Sequence, residues 1–134
     1  MTVLATFTVQ WTDPASFDDE ITLQTVLSGR SPTTRLDYDG LALVSVGHCL
    51  VATGPDDARH RHRHWSAALV VDDLARTERD LRAVGADIVV PAGDGRTGRF
   101  LFARHPGGTV VEYLQWTPET LAAVLGYAST DSTR

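Results

Sequence analysis

The chain has 134 residues and a mass of 14.5 kDa, with 43% hydrophobic and 22% charged residues, which favours one compact domain around a packed core. Its formal net charge is −5, and its basic residues are scattered apart from a short run around Arg61, so a nucleic-acid-binding surface is not expected. The single cysteine, Cys49, excludes an internal disulfide and cysteine-based zinc or iron–sulfur frameworks.

The sequence contains no segment with the character of a membrane anchor or a signal peptide. No apolar run is long enough to cross a bilayer. Residues 1–11 lack the basic start and the apolar stretch of a secretion signal. We therefore expect no membrane association and a cytoplasmic location.

The first half of the chain predicts a strand, a helix and three further strands. Residues 4–11 alternate between apolar and polar side chains, as a half-buried strand does. Asp13 and Pro14 predict the start of a helix that ends at Gly29. Strands are predicted at 34–38, 41–46 and 48–53, separated by Asp39-Gly40 and by Gly47.

The second half repeats this order after a predicted linker at residues 54–57. A strand at 65–71 is followed by a helix that Asp72 or Asp73 caps and that ends at Gly85. The remaining predicted elements are strands at 87–90, ended by Pro91, at 99–103 and at 109–116, a glycine-rich loop at 93–98, a helix at 118–127 and a frayed tail at 129–134.

The two halves therefore form an internal duplication of structural pattern. An offset of 60 residues places Asp13 over Asp73, and Gly29 then falls near Gly85. Each half predicts a βαβββ module, at 1–57 and 58–117, followed by a C-terminal helix and tail at 118–134, all within one structural domain. Two such modules are expected to pair and to enclose a cavity between their polar faces.

The second half also resembles a known superfamily. Its segment VVDDLARTERDLRAVGADIVV, followed by GRTGRFLFARHPGGTVVEYLQW, contains a strand ending in V-x-D-L, a helix closing in G-A and a P-x-G turn leading to V-V-E-Y. These features resemble the second module of the vicinal oxygen chelate superfamily, which includes glyoxalases, bleomycin-resistance proteins and extradiol dioxygenases. The resemblance implies an α+β fold in which two βαβββ modules form curved mixed sheets around an inter-module cavity, and it implies a homodimer.

Metal-dependent members of that superfamily coordinate a divalent ion through one residue on the first and last strand of each module. The resemblance assigns these positions to Thr6, Val51, Ser66 and Glu112. Only Glu112 is a good ligand, and one carboxylate alone holds a divalent ion weakly. No cofactor is therefore expected, and a divalent metal held by Glu112 with His64 is the alternative.

Glu112 is the leading candidate for a functional group, because it lies in a strongly apolar strand with Val110 and Leu114 on its own face. If buried, its carboxyl needs a partner or a raised pKa, and a raised pKa suits a general base or a ligand-binding group. The alternative is a structural ion pair with Arg99.

Three histidines, His60, His62 and His64, alternate with arginines ahead of the second module. In an extended strand the three imidazoles would share one face and could hold a metal, whereas a solvated connection is the simpler interpretation. His64 stands two residues before Ser66, so a shift of two residues would bring it into the cavity.

Several other side chains are expected to line the cavity. Thr6, Thr8 and Gln10 form the polar side of the first strand and suit hydrogen bonding to a ligand. Trp11 and Trp65 are expected to pack against helices, and His105 is expected to be structural. The full set of predicted ligand-cavity residues is Thr6, Thr8, Gln10, Val51, His64, Ser66, Arg99, Phe100, Phe102 and Trp116.

These expectations lead to two hypotheses about function. The first is a metal-free binding protein of the bleomycin-resistance type that holds a small aromatic or polycyclic molecule. The second is a natural-product or detoxification enzyme, a lyase, isomerase, hydrolase or dioxygenase-like protein, that uses Glu112 as an acid–base group or metal ligand.

Overall fold

The computed structural model describes residues 1–125. Its strands are β1 (Val3–Trp11), β2 (Thr34–Tyr38), β3 (Leu41–Val46), β4 (Cys49–Thr53), β5 (Trp65–Val71), β6 (Asp87–Gly95), β7 (Gly98–Arg104) and β8 (Val110–Trp116). Its α-helices are α1 (Phe17–Ser28), α2 (Asp56–Arg61), α3 (Leu74–Ala83) and α4 (Pro118–Leu125). The α+β class and the two successive βαβββ patterns are confirmed. No helix of residues 1–125 is long and apolar enough to cross a membrane.

The chain folds into two compact units. The first unit is Phe7–Ser66, and the second consists of Met1–Thr6 together with the chain from Ala67 onward. Both β1 and β5 are therefore shared between the units, with a few residues of each strand in either one. The module boundaries expected at residues 57 and 117 follow the sequence pattern and remain a prediction.

In the first unit, the helical segment starts at Pro14 and ends at Gly29 as predicted, but its first three residues form a 3₁₀ turn and α1 itself begins at Phe17. The carboxylate of Asp13 accepts a hydrogen bond of 2.8 Å from the backbone N–H of Ser16, and Pro14 starts a short 3₁₀ turn that leads into α1. Gly29 ends the helix in the left-handed conformation, with φ of 68°, and its N–H donates to the carbonyl of Thr25.

The sheet of the first unit has the strand order β2-β3-β4-β1, with β1 parallel to β4 and the other pairs antiparallel. The β2–β3 turn is formed by Asp39 and Gly40, both at positive φ, as two-residue hairpins require. Helix α1 packs mainly over β3 and β4. The resulting core consists of Ile21, Val44, Val46, Cys49 and Val51, with Phe17 packed against it.

The linker predicted at residues 54–57 is wrong in its second half, where helix α2 begins. The chain starts a helix at Asp56, directly after Pro55. Asp56 and Asp57 lie in its first turn and basic side chains lie in its last turn, an arrangement that complements the helix dipole. The charge pattern therefore favours a short helix where the Gly-Pro pair alone indicates an irregular connection.

In the second unit, helix α3 packs on a sheet of order β5-β8-β7-β6. Asp73 caps α3 as predicted, because its carboxylate accepts a hydrogen bond of 3.0 Å from the N–H of Arg76. The side-chain oxygen of Gln115 in β8 accepts a second bond of 2.7 Å from the N–H of Leu74. The core under α3 consists of Val71, Leu74, Leu101, Ala103, Val111 and Tyr113.

Strand β6 is longer than the sequence indicates. It continues past Pro91 to Gly95, so the predicted ending at residue 90 is wrong and the predicted glycine-rich loop is reduced to a tight turn between Gly95 and Gly98. The β6–β7 register shifts between Ile88 and Val90 and again before Gly93. Proline is tolerated there for two reasons. Strand β6 is the edge strand of its sheet, and the irregular register leaves Pro91 outside the regular backbone pairing with β7.

The end of the chain is described only in part. Helix α4 spans Pro118–Leu125, in agreement with the start of the helix predicted for 118–127. The last residues of that helix and the tail predicted at 129–134 lie outside the described residues.

Candidate functional site

Glu112 projects from the side of the second unit's sheet that faces away from α3. Its neighbours Val111 and Tyr113 pack in the core under α3, and strand alternation directs Glu112 to the opposite side. In the antiparallel β7–β8 pair, Phe102 stands opposite Glu112 and Phe100 stands opposite Leu114. We call this surface the Glu112 face; in β7 and β8 its members are Phe100, Phe102, Val110, Glu112, Leu114 and Trp116.

The Glu112 face is aromatic and apolar apart from the carboxyl group. The rings of Phe100 and Phe102 meet edge to face, with centroids 6.1 Å apart and an angle of 88° between the ring planes. Phe102 is 4% exposed, whereas Phe100 and Trp116 are partly exposed. The face therefore has a buried ring, Phe102, and two partly exposed rings that a flat molecule could contact.

The surroundings of Glu112 disfavour its charged form. Desolvation by burial raises the pKa of Glu112 to about 8. Within residues 1–125 the carboxyl forms no hydrogen bond and no ion pair, so no neighbouring donor or cation offsets this desolvation. The residue nevertheless keeps partial solvent access. Glu112 is thus a mainly neutral carboxylic acid near pH 7 that a ligand could reach.

Arg99 does not lie on this face, so the alternative of an ion pair between Arg99 and Glu112 is wrong. It shares the α3 side of β7 with Leu101 and Ala103, opposite to Glu112. Its guanidinium approaches Asp94, with Nε 3.6 Å from a carboxylate oxygen. Alternation along the strand excludes both the ion pair with Glu112 and a place for Arg99 on the Glu112 face.

The polar side of β1 is also misassigned by the sequence. In the parallel β1–β4 pair, Thr8 is in register with Cys49 and Gln10 with Val51, and Cys49 and Val51 face α1. Thr8 and Gln10 therefore lie on the side of β1 where α1 packs, and alternation puts Thr6 on the same side of the strand as Thr8; all three side chains are exposed. Trp11 lies on the side away from α1, contrary to its predicted packing against a helix.

Val51 and the three histidines also lie in places that the sequence does not predict. Val51 is fully buried beside Ile21 and cannot contact a ligand. The histidines do not share the face of a strand, because His60 lies in α2 and His62 and His64 lie in the turn after it. The ring of His62 instead contacts the carboxylate of Asp39, at 2.9 Å. His64 and Ser66 are exposed residues of the first unit.

A divalent metal does not fit the donor groups of the described chain. No group of three or more His, Cys, Asp or Glu side chains that could hold a metal ion occurs in residues 1–125. Of the four positions that the resemblance assigns to ligands, Val51 has no donor atom, Thr6 and Ser66 offer neutral hydroxyls, and Glu112 alone offers a carboxyl group.

The structure adds residues to the Glu112 face that the sequence did not reveal. Ala68 and Val70 lie in β5, next to β8 in strand order, and are buried on the side opposite Ala67 and Leu69, which pack toward α3. Val90 of β6 joins the face through its pairing with Phe102. The segment WSAALVV is apolar on both sides, so its alternation could not separate the two faces.

Two further expectations concern residues away from this face. The ring nitrogen Nε2 of His105 lies 2.8 Å from the hydroxyl of Tyr113, so His105 ties the β7–β8 turn to the strand, as its predicted structural role requires. Burial raises the pKa of the Cys49 thiol, which agrees with the expectation that it is not a reactive nucleophile.

No protein-family model matches the sequence, and the comparison with curated proteins gave no match. Solved structures do match. An uncharacterized protein from Methanosarcina mazei is 23% identical, with a TM-score of 0.75 and coverage of 88% of this chain and 96% of that chain. Methylmalonyl-CoA epimerase from Mycobacterium tuberculosis is 22% identical, with a TM-score of 0.65 and coverage of 90% and 93%.

A mutant of 4-hydroxymandelate synthase from Streptomyces coelicolor is 14% identical, with a TM-score of 0.56, over 83% of this chain and 48% of that chain. The epimerase and the synthase are members of the vicinal oxygen chelate superfamily. These likenesses show that the chain has the fold of that superfamily, as its second half indicates, and at these identities they show the fold alone.

Proposed function

We propose that this chain, which has the vicinal oxygen chelate fold, is a metal-free protein that binds a small aromatic or polycyclic molecule against the Glu112 face. The observation that carries the proposal is one protonatable carboxyl on a face otherwise made of aromatic and aliphatic side chains. Ligand sites commonly combine an apolar lining with a few polar groups that fix orientation.

Because Glu112 is protonated, the polar group that it binds on the ligand must be a hydrogen-bond acceptor. With a pKa of about 8, most of these carboxyls are protonated at pH 7. A protonated carboxyl donates a hydrogen bond through its O–H. The expected ligand therefore combines a flat aromatic body with an acceptor oxygen, such as a ring carbonyl.

The apolar members of the face supply the remaining contacts. Phe100 and Trp116 are partly exposed and offer ring surface, and the buried ring of Phe102 packs edge to face against Phe100. Aromatic pairs contribute about 0.5–1.5 kcal/mol beyond the burial of their area. A ligand with a flat ring system gains from these contacts, whereas a small polar metabolite does not.

The donor groups of residues 1–125 support a mode of binding without a metal ion. They include no cluster suited to a divalent cation. The proposed interaction needs none, because a neutral carboxyl orients a carbonyl through a direct hydrogen bond. Loss of metal ligands on this fold is also what the resemblance to the bleomycin-resistance branch implies.

A second candidate function, acid–base catalysis, is favoured by the same pKa. A carboxyl that titrates near neutral pH suits general acid–base catalysis at physiological pH. In an isomerase, the ionised fraction of Glu112 would remove a proton from a carbon next to the ligand carbonyl, the electron pair of the C–H bond would pass to the carbonyl as an enolate, and the resulting carboxylic acid would return the proton to carbon. Solved structures of similar fold include an epimerase, which is an isomerase by name.

The binding proposal is tested with fluorenone, a flat ketone that does not titrate between pH 6 and 9, and with fluorene, which lacks the oxygen. We expect quenching of tryptophan fluorescence by fluorenone, with an affinity that falls as the pH rises through about 8. Fluorene should bind more weakly and without this pH dependence. Equal, pH-independent binding of both compounds would contradict the proposal.

Two variants provide matched controls. Glu112→Gln keeps a neutral hydrogen-bond donor, so fluorenone binding should persist and lose its pH dependence. Arg99→Gln changes a side chain on the opposite side of the same strand pair and should leave binding unchanged. Separately, candidate carbonyl ligands incubated in deuterated water and analysed by mass spectrometry distinguish the two functions. Deuterium uptake that depends on Glu112 would favour catalysis, and unchanged ligand would favour binding.

A further inference from the structure

A pocket of about 460 Å³ opens in the first unit, at the ends of β2, β3 and β4. Asp37, Ala42 and Thr53 stand side by side across these three strands, and alternation from Val44 and Val51 puts them on the α1 side of the sheet. We call it the Asp37 pocket; its other lining residues are Pro14, Gly40, Leu41, Gly54 and Pro55. Its volume lies within the roughly 300–1,000 Å³ of small-molecule sites.

The Asp37 pocket has a buried floor and an exposed rim. Leu41 and Thr53 are 1% and 5% exposed, and Gly54 is buried between them and the β2–β3 turn. A Cβ at Gly54 would lie 2.8 Å from the backbone oxygen of Gly40, so the end of β4 and the turn are in direct contact. The rim is formed by the exposed residues Pro14, Asp37 and Pro55.

The walls of the pocket are held in place by the turn that follows β2. The carboxylate of Asp39 accepts a hydrogen bond of 3.0 Å from Nε of Arg61 and lies 2.9 Å from the ring of His62. The backbone oxygen of Asp39 accepts a second bond of 3.0 Å from Arg61. These contacts join the turn with Gly40 to helix α2, which begins directly after Pro55. A ligand therefore binds without the cost of ordering these walls.

The side chains that line the pocket offer hydrogen-bond acceptors and no donor. Asp37 is the only charged residue of the lining, and within residues 1–125 it forms no ion pair. The hydroxyl of Thr53 donates its hydrogen to the carbonyl of Thr12, at 2.9 Å, which leaves only the lone pairs of its oxygen for a ligand. The remaining lining residues are glycine, alanine, leucine and proline, whose side chains have no polar atom.

We propose that the Asp37 pocket binds a small organic cation, a protonated primary amine attached to an apolar group. An ammonium group has three donors and no acceptor, so it complements the carboxylate of Asp37 and the oxygen of Thr53. The apolar group lies against Pro14, Leu41 and Pro55, where it gains from burial. This ligand differs from the one proposed for the Glu112 face, which offers a hydrogen-bond acceptor.

An NMR titration of the full chain with benzylamine tests the proposal. Benzylamine is protonated at pH 7, as primary alkylamines are, and benzyl alcohol is its neutral match in shape. At constant ionic strength, we expect saturable shifts of the backbone amide signals of Thr53 and Gly54 with benzylamine, and binding of benzyl alcohol that is weaker by about threefold or more. Ammonium chloride, which lacks the apolar group, should give no saturable shift. Equal affinities for amine and alcohol, or no saturable shift with benzylamine, would overturn the proposal.

Two variants separate the charge of the pocket from its shape. Asp37→Asn keeps the size of the side chain and should lower the affinity for benzylamine to that for benzyl alcohol. Asp87→Asn, at an exposed carboxylate of the second unit, is its control and should leave binding unchanged. Ala42→Leu fills the pocket and should abolish binding of both compounds, whereas Ala75→Leu, at an exposed position of α3, should not. Circular dichroism checks the folding of each variant, and wild-type affinity for benzylamine in Asp37→Asn would overturn the proposal.

Glu112→Gln distinguishes this site from the Glu112 face. The variant leaves the Asp37 pocket unchanged, so benzylamine should bind as it does to the wild type. Fluorenone has no hydrogen-bond donor and should not shift the amide signals of Thr53 and Gly54. Loss of benzylamine binding in Glu112→Gln would assign the amine to the Glu112 face and would overturn the proposal for the Asp37 pocket, whereas failure of fluorenone to bind bears only on the Glu112 face.

Discussion

Phe102 in β7 lies directly opposite Glu112 in β8, and both side chains are on the face turned away from α3. Directly opposed residues of antiparallel strands have Cβ atoms about 5 Å apart. A cationic side chain at the cross-strand position would stabilise the charged form of Glu112, but an aromatic ring occupies that position. This relationship explains why burial raises the pKa of Glu112 to about 8.

Removing the ring of Phe102 should affect both stability and ionisation. Phe102 is 4% exposed, so Phe102→Ala should lower the free energy of unfolding by about 3–5 kcal/mol. Water entering the space should also lower the pKa of Glu112 toward its ordinary value of 4.5. Urea denaturation and a carboxyl NMR titration measure the two effects. Phe102→Leu is the milder control, and an unchanged pKa in Phe102→Ala would argue against the ring as a cause.

The raised pKa of Glu112 should make the protein less stable as the pH rises. Between pH 4.5 and about 8 the folded chain holds a proton on Glu112 that the unfolded chain has released. The contribution of this group to the free energy of unfolding therefore falls through that window, by up to a few kcal/mol, and stays low above it. Glu112→Gln should remove this part of the pH dependence. Parallel urea midpoint curves for wild type and Glu112→Gln from pH 5 to 9 would contradict the prediction.

The contact of Asp39 with His62 and Arg61 should have the opposite pH dependence. His62 and then Arg61, as hydrogen-bond donors, hold the pKa of Asp39 below its ordinary value. The stabilisation is present above the unfolded-state pKa of 3.8 and is lost as the pH falls through the folded-state value. Asp39→Asn, which tolerates the positive φ of 48°, should therefore destabilise the chain at pH 7.

Asp37→Asn is the control for this prediction, because Asp37 is exposed and makes no ion pair within the described residues. Thermal unfolding compares the two variants. The difference between Asp39→Asn and wild type should vanish near pH 2, and a difference independent of pH would assign the effect to the turn and not to the charge.

Gly98 should not tolerate a side chain. A Cβ at this position would lie 2.2 Å from the backbone oxygen of Gln115, and its φ of 143° suits glycine. Because the contact is with backbone, Gly98→Ala should cost about 3 kcal/mol or more in the free energy of unfolding. Gly107→Ala, where a Cβ meets nothing within 4 Å, is the matched control. Equal denaturation midpoints for the two variants would contradict the β7–β8 geometry.

The sequence predicts the element order and the helix starts well, because these depend on local chemistry. Asp13 caps the 3₁₀ turn that leads into α1, Asp73 caps α3, and the turn at Asp39-Gly40 needs only two residues at positive φ. The position of Glu112 is likewise predictable, since it lies in a short apolar strand after a recognisable turn.

The side of the sheet that a helix covers is not a local property. Alternation in β1 separates Thr8 and Gln10 from Phe7 and Trp11, but the sequence alone does not say which side faces α1. The helix packs mainly over β3 and β4, so the polar side of β1 remains exposed beside it. Arg99 is misassigned to the wrong side of β7 for the same kind of reason.

Long-range pairing explains the error at β6, and overlooked local charges explain the error at α2. Pro91 ends a strand in a sequence pattern, yet pairing with β7 continues β6 through an irregular register. The Gly-Pro pair and the polar histidine run predict a solvated connection, whereas the charges of Asp56 and Asp57 at one end and of arginines at the other favour a helix.

The pKa of Glu112, followed through its side-chain carboxyl carbon by NMR from pH 4 to 10, tests the central claim most directly. We predict one titration with a midpoint near 8, shifted upward when fluorenone binds, because the ketone stabilises the protonated acid. A midpoint near 4.5 would show an ordinary ionised carboxylate and would contradict the proposed role of Glu112 in binding a ligand.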